Sequence, residues 1–227
     1  MRCFCYYFLL PYVALCLLAC AADTPDVSAP PASAPPPNNR MDTPASRMPP
    51  ADLAQDEERE DDGGMAAIRE QYGRIQAQLD DGSLRADTTI VPCEHEDGEF
   101  FLVRYLDGDE VRMLRKTTGI GHAFTTTRYY FAGGELVFAW TVDEQFSPVS
   151  PPDGADEAGW ESEYTETRHY VRNGEVIRQL TKTYEEQSWK DNPPPADLPN
   201  RRVDVPAGTR FPDLDTLEAW KRGRVAC

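Results

Sequence analysis

From Met65 the apolar residues follow a helical spacing. Met65, Ile68, Tyr72, Ile75 and Leu79 recur in alternating steps of three and four, one stripe of an amphipathic helix. Arg69, Glu70, Arg74 and Gln78 fall on the other faces, and Asp80-Asp81-Gly82-Ser83 ends the run. Gly73 lies inside it and costs about 1 kcal/mol relative to alanine. A helix weakened in this way is held by what it packs against.

Downstream the period changes to two, and one unit appears three times. Stretches 99–106, 127–131 and 167–171 are rich in aromatic and β-branched residues. They run into Asp107-Gly108, Gly133-Gly134 and Asn173-Gly174. Each is followed by a second strand that opens on glutamate, at Glu110, Glu135 and Glu175. Tight hairpin turns need positive φ, and such glycine pairs are the strongest short-range hairpin signal. The fold class predicted is α+β, with one N-terminal amphipathic helix packed on an antiparallel six-stranded β-meander.

Alternation assigns the faces. Leu136, Phe138, Trp140 and Val142 share one face, as do Thr126, Arg128 and Tyr130 in the partner strand, while Val176 and Leu180 pair with Tyr170. That side is expected to carry the helix. The other bears Arg112, Thr141, Glu163, Thr165 and Gln179 and reads as solvated, as antiparallel sheets allow. Tyr129, Phe131 and Trp160 are candidates for an exposed contact patch, with core packing the favoured reading for each alone. Residues 145–159 read as a long, acidic, proline-rich mobile loop. Periodicity fades after Lys182, and the stretch from Pro212 to Trp220 predicts a short helix stopped at Gly223.

Composition separates this module from what precedes it. Proline is 20 of 227 residues and mean hydropathy is -0.58. From Asp23 to Asp62 nothing can build a core: proline clusters are followed by the charge run Asp56-Glu57-Glu58-Arg59-Glu60-Asp61-Asp62. At about 3.1 Å per residue when extended, this disordered tether reaches on the order of 100 Å. Acidic residues number 39 against 23 basic ones, for a net charge of -16. That balance excludes nucleic acid as a partner and excludes attachment to anionic lipid through a basic face.

The first residues carry an address. Arg2 precedes an apolar stretch from Phe4 to Leu18, too short to be a transmembrane helix and followed by small residues, as in a signal peptide. Leu17-Leu18-Ala19-Cys20 resembles the lipobox of bacterial lipoproteins. The resemblance implies a lipoprotein signal peptide over 1–19; composition and periodicity then divide the rest into a tether over 20–62 and a helix-plus-meander domain with a C-terminal extension over 63–227. The resemblance also implies cleavage before Cys20, and acylation of Cys20 (palmitate among the chains) as the anchor in the lipid bilayer. No Asp follows the cysteine, which in the bacterial sorting pattern implies the periplasmic face of the outer membrane. An ordinary cleaved signal with a chance cysteine is the alternative.

The order of a helix carrying Ile68, Tyr72 and Ile75, then Arg128-Tyr129-Tyr130-Phe131, Gly134 and Leu136, then Val176-Ile177-Arg178, resembles a group of secreted or lipid-anchored bacterial proteins built from such hairpins. The resemblance covers residues 65–182. Its motifs are structural, so it implies a fold and no catalytic residue.

Of six cysteines, Cys3, Cys5 and Cys16 would leave with the signal and Cys20 would take lipid. Cys93 and Cys227 remain, in a compartment that oxidises thiols. A single disulfide between them is the economical reading; two free thiols are the alternative. Cys93, His95 and Asp97 would share one side of an extended segment, a possible zinc or copper site that competes with the disulfide. His122 and His169 lie in strand-like segments. No nucleophile elbow, phosphate loop, His-Glu-x-x-His or Cys-x-x-Cys occurs. The expectation is therefore a lipid-anchored cell-envelope protein, not an enzyme, with no metal site and no cofactor. It would bind an unknown envelope protein or ligand. The alternatives are a small periplasmic metal-binding protein or hydrolase using His95 or His122, or a carrier of an apolar ligand.

Overall fold

The computed structural model describes residues 62–93, 98–150, 159–190 and 198–225, all within one compact unit, Arg47–Cys227. The expected signal peptide, the lipidated Cys20, almost all of the tether, His95 and Cys227 lie outside the described residues.

Helix α1 spans Asp62–Asp80, at the place its apolar stripe predicts. Eight strands follow: β1 Arg85–Cys93, β2 Gly98–Asp107, β3 Glu110–Ile120, β4 Ala123–Ala132, β5 Glu135–Val149, β6 Gly159–Arg172, β7 Glu175–Gln187 and β8 Arg201–Val203. They form one antiparallel sheet in sequential order, β1 to β8. Helix α2, Leu214–Lys221, follows, and Gly223 just beyond it adopts φ 72°.

The meander thus has eight strands where six were expected. Strand β1 escapes the pattern because its sequence, RADTTIVPC, lacks a strict apolar–polar alternation and holds a proline, tolerated because the strand is at the sheet edge. Strand β8 is three residues long and shows no period. The expected long loop is also shorter at both ends. Strand β5 runs on to Val149 and β6 begins at Gly159, with Phe146 opposite Ser162 and Pro148 opposite Trp160.

All three predicted hairpins form, and each carries a β-bulge at the same place. Tyr105 pairs with Met113 but Leu106 with Val111; Tyr130 pairs with Phe138 but Phe131 with Leu136; Tyr170 pairs with Arg178 but Val171 with Val176. The residue passed over is Arg112, Val137 or Ile177, always two positions after the glutamate. One extra residue reverses the alternation on that side of the bulge. Leu136 therefore faces away from Phe138, and Val176 away from Leu180, which corrects the assumption that each pair shares a face. The first turn is displaced by one residue: Gly108-Asp109 are its central pair, with Gly108 at φ 61°.

Two buried clusters result, one on each side of the sheet. On one side α1 contributes Met65, Ile68, Tyr72 and Ile75 against Met113, Tyr130, Phe138 and Tyr170. The Tyr72 ring lies 5.0 Å from that of Tyr130 and 5.6 Å from that of Phe138. On the other side Leu217 and Trp220 of α2, with Phe211, cover Leu102, Leu114, Phe131, Leu136 and Val171. The expectation of a solvated second face is therefore wrong over this part of the sheet. The bulges turn apolar residues to both sides, and an exposed apolar face of that size needs a cover.

Both helices sit towards the hairpin turns. Gln71 Nε2 donates to the Phe131 carbonyl at 3.2 Å, Gln78 Nε2 to Asp107 Oδ2 at 3.4 Å, and Lys221 Nζ to the Gly134 carbonyl at 2.5 Å. The long strands β3 to β7 continue past them. In that far half buried charged residues sit among further members of the same cluster, Trp140, Val142, Tyr164, Leu180 and Tyr184.

Candidate ligand site

Cross-strand register places the far half of the α1-side face row by row. The row that opens this half runs Arg115, Arg128, Trp140, Arg168, Leu180, with Trp140 and Leu180 still in the apolar cluster. The next runs Thr117, Thr126, Val142, Glu166, Lys182, and the third Phe124, Glu144, Tyr164, Tyr184. Alternation alone would turn these side chains to one side. The unexpected fact is their burial: Arg128, Arg168, Glu166 and Lys182 are all buried.

Glu166 organises one end of this band. Its Oε2 accepts from Trp140 Nε1 at 3.2 Å and from Arg168 Nη2 at 3.0 Å. Its Oε1 accepts from the Tyr184 hydroxyl at 3.2 Å and lies 3.7 Å from Lys182 Nζ. A buried carboxylate that accepts three hydrogen bonds and faces an ammonium group is a structural hub. Burial first, and then the Glu166 charge, push the Tyr184 phenol far above its usual range. Tyr164, stacked on Tyr184 with ring centroids 4.9 Å apart, is raised by burial and by Glu144. Both phenols are therefore proton donors at neutral pH. Ser162 Oγ and the Tyr164 hydroxyl both donate to Glu144 Oε1, at 3.2 and 3.1 Å.

The other end of the band is built differently. Arg128 is 6 % exposed, and its guanidinium lies 4.8 Å from the centre of the Trp140 ring. Its Nη1 has no hydrogen-bond partner. Arg115 stands directly opposite Arg128, its own guanidinium 6.0 Å from the Tyr105 ring. Among the described residues neither arginine is within ion-pair distance of a carboxylate. Burial pulls the Arg128 guanidinium below its usual value, and the Arg115 charge pulls the same way, while the Tyr130 and Tyr72 phenols oppose them. Next to the pair, the Thr117 and Thr126 hydroxyls are 3.2 Å apart.

The opposite face of the far half is a field of threonines. Thr125 Oγ1 donates to Asp143 at 2.7 Å and the Thr127 and Thr141 hydroxyls are 3.2 Å apart. An open pocket of about 470 Å³ lies where β6, β7 and β8 adjoin, lined by Thr165, Thr181, Lys182, Thr183, Leu198 and Arg201.

The residues singled out in the sequence do not converge. Cys93 is the last residue of β1, paired with Gly98, and its expected partner Cys227 is outside the described residues, as is His95. His122 is exposed at the β3–β4 turn and stacks on Phe146 at 4.8 Å. His169 is on β6, facing the second cluster edge-on to Phe211. Of the proposed aromatic patch, Phe131 is buried under α2 and Tyr129 packs against Trp220, leaving Trp160 exposed. Among the described residues no three His, Cys, Asp or Glu side chains gather as a metal site, and no helix is long and apolar enough to cross a membrane. Sequence reasoning placed Arg128 on the correct face but missed it as a site. Its one visible signal was an arginine in strand alternation with Tyr130. The chain matches no family model, no curated protein and no solved structure.

Proposed function

We propose that this is a non-enzymatic binding protein of the bacterial cell envelope, anchored through acylated Cys20 at the periplasmic face of the outer membrane. In this reading the far half of the sheet, held off the bilayer by the tether, is the binding surface. The observation that carries the binding role is the buried Arg128, a cation with an unpartnered Nη1 beside a like charge. Folding stability alone does not favour that arrangement, because an uncompensated buried charge is costly. The surroundings also suit binding better than turnover. Glu166 already accepts three hydrogen bonds, Tyr164 and Tyr184 hold their protons, and Ser162 is bonded to a glutamate, not to a histidine. For the anchor, the support is the Leu17-Leu18-Ala19-Cys20 motif after a short apolar run.

Mass spectrometry of the mature protein from membranes tests both parts. The expected mass begins at an acylated Cys20, and Cys20→Ser should move the protein out of the membrane fraction. An unprocessed chain in the cytosol would end the envelope reading. Native spectra of the same material should show a retained small molecule. Stoichiometric zinc or copper lost on His95→Ala would instead install the metal-protein alternative.

A further inference from the structure

The geometry points to a specific ligand class: we infer that Arg115 and Arg128, with the Tyr72 hydroxyl, bind the oxyanion of a small carboxylate or phosphate ligand on the α1 side of the sheet. The inference rests on the proposed binding role and names what is bound.

Three observations converge on one place. Arg115 and Arg128 are cross-strand partners on the same face, where like charges directly opposite one another destabilise a sheet. Arg128 is buried, yet its Nη1 lacks a hydrogen-bond partner. Tyr72, from the helix above, brings a buried hydroxyl within electrostatic reach of the same guanidinium. A trapped water would answer the donors but would leave the two like charges uncompensated. An oxyanion answers both, since planar guanidinium forks match the geometry of carboxylate and phosphate oxygens.

The surroundings prepare the site. Trp140 supports the flat face of Arg128 and Tyr105 lies against Arg115, so each fork is held by a ring and little side-chain freedom is lost on binding. Thr117 and Thr126 place two hydroxyls one row further along. The neighbouring cations do not belong to this site in the same way. Arg168 and Lys182 share the Glu166 carboxylate, whereas among the described residues no carboxylate is within ion-pair distance of Arg115 or Arg128.

Isothermal titration of the full mature protein with inorganic phosphate, acetate and decanoate, in a buffer free of other oxyanions, tests this. Saturable one-site binding of phosphate or of a carboxylate is expected. Arg128→Met and Arg115→Met should each weaken it by about tenfold or more, a change equivalent to about 1.4 kcal/mol. Arg74→Met, on the exposed side of α1, should leave it unchanged. The stronger of phosphate and acetate identifies the headgroup, and decanoate binding tighter than acetate would assign an apolar body to the ligand. If Arg128→Met does not fold, the half-buried Arg115→Met gives the same reading. Absence of saturable binding by all three probes, or binding indifferent to both arginine substitutions, overturns the inference. The two levels fail separately. If no oxyanion binds but native spectra still show a retained molecule, this assignment falls and the binding role stands.

Discussion

Trp140 and Glu166 are joined across adjacent strands by an indole N–H donating to a buried carboxylate at 3.2 Å, with Arg168 on the same oxygen. This bond ties the aromatic support of Arg128 to the carboxylate that Arg168 and Lys182 share. Glu166→Ala takes the shared carboxylate away from two buried cations. The expected loss is about 3–5 kcal/mol of unfolding free energy, read by guanidinium denaturation. A triple variant, Glu166→Leu with Arg168→Met and Lys182→Met, should recover most of that loss, because an apolar replacement of a whole buried ion cluster is tolerated better than removal of one partner.

The second face depends on α2. Trp220 is buried against Phe100 and Tyr129, with ring centroids 5.9 and 6.4 Å away. Trp220→Ala should cost about 3–5 kcal/mol. It should also uncover Leu102 and Leu114, so binding of an apolar dye should rise before global unfolding.

These two results bear on how much of the fold the sequence carries. The α1 stripe and the three glycine turns were legible because helix spacing and positive φ are local demands that particular residues must meet. The bulges at Arg112, Val137 and Ile177 were not, since an extra residue in one strand shows only against its partner. That single omission hid the second cluster and hence the role of α2, although its helix was foreseen. Arg128 was placed on the correct face by alternation. Its burial was not visible, because burial depends on what covers a position and on the Trp140 ring brought in from β5.

The third hairpin turn gives a local test. Gly174 has φ 77°, and a Cβ there would meet Leu214 Cδ1 at 3.0 Å. Gly134, at φ 81° in the second turn, has nothing within 4 Å. Gly134→Ala should therefore cost only the strain of the backbone, about 1–3 kcal/mol. Gly174→Ala should cost more, since it also crowds the first residue of α2. Equal losses in thermal unfolding would mean that Leu214 gives way freely.

His169 makes stability depend on pH. Burial lowers its pKa below the ordinary 6.5, with a hydrogen bond to Gln179 opposing the shift. The folded protein therefore holds the ring neutral where the unfolded chain already binds a proton. Unfolding takes up that proton, so stability falls as pH drops below about 6.5 and levels off once the folded state also titrates. His169→Gln should flatten this part of the curve relative to the parent. Denaturation midpoints measured from neutral to mildly acidic pH give the comparison, and parallel curves would show that the ring is not held neutral.

Arg128 separates a structural charge from a functional one. If it served stability, replacing it would be costly, as for any well-paired buried ion. Here its Nη1 is unpartnered, the facing charge is Arg115, and the main favourable contact is the Trp140 ring at 4.8 Å. Methionine keeps an unbranched apolar stem on that ring and removes both the desolvation cost and the repulsion. In buffer without oxyanions Arg128→Met should therefore be neutral or more stable than the parent by about 1 kcal/mol or more. Adding phosphate or a carboxylate should then raise the unfolding temperature of the parent and leave that of the variant in place. A variant less stable than the parent in both buffers would make Arg128 a structural cation, and the site would lose its physical basis.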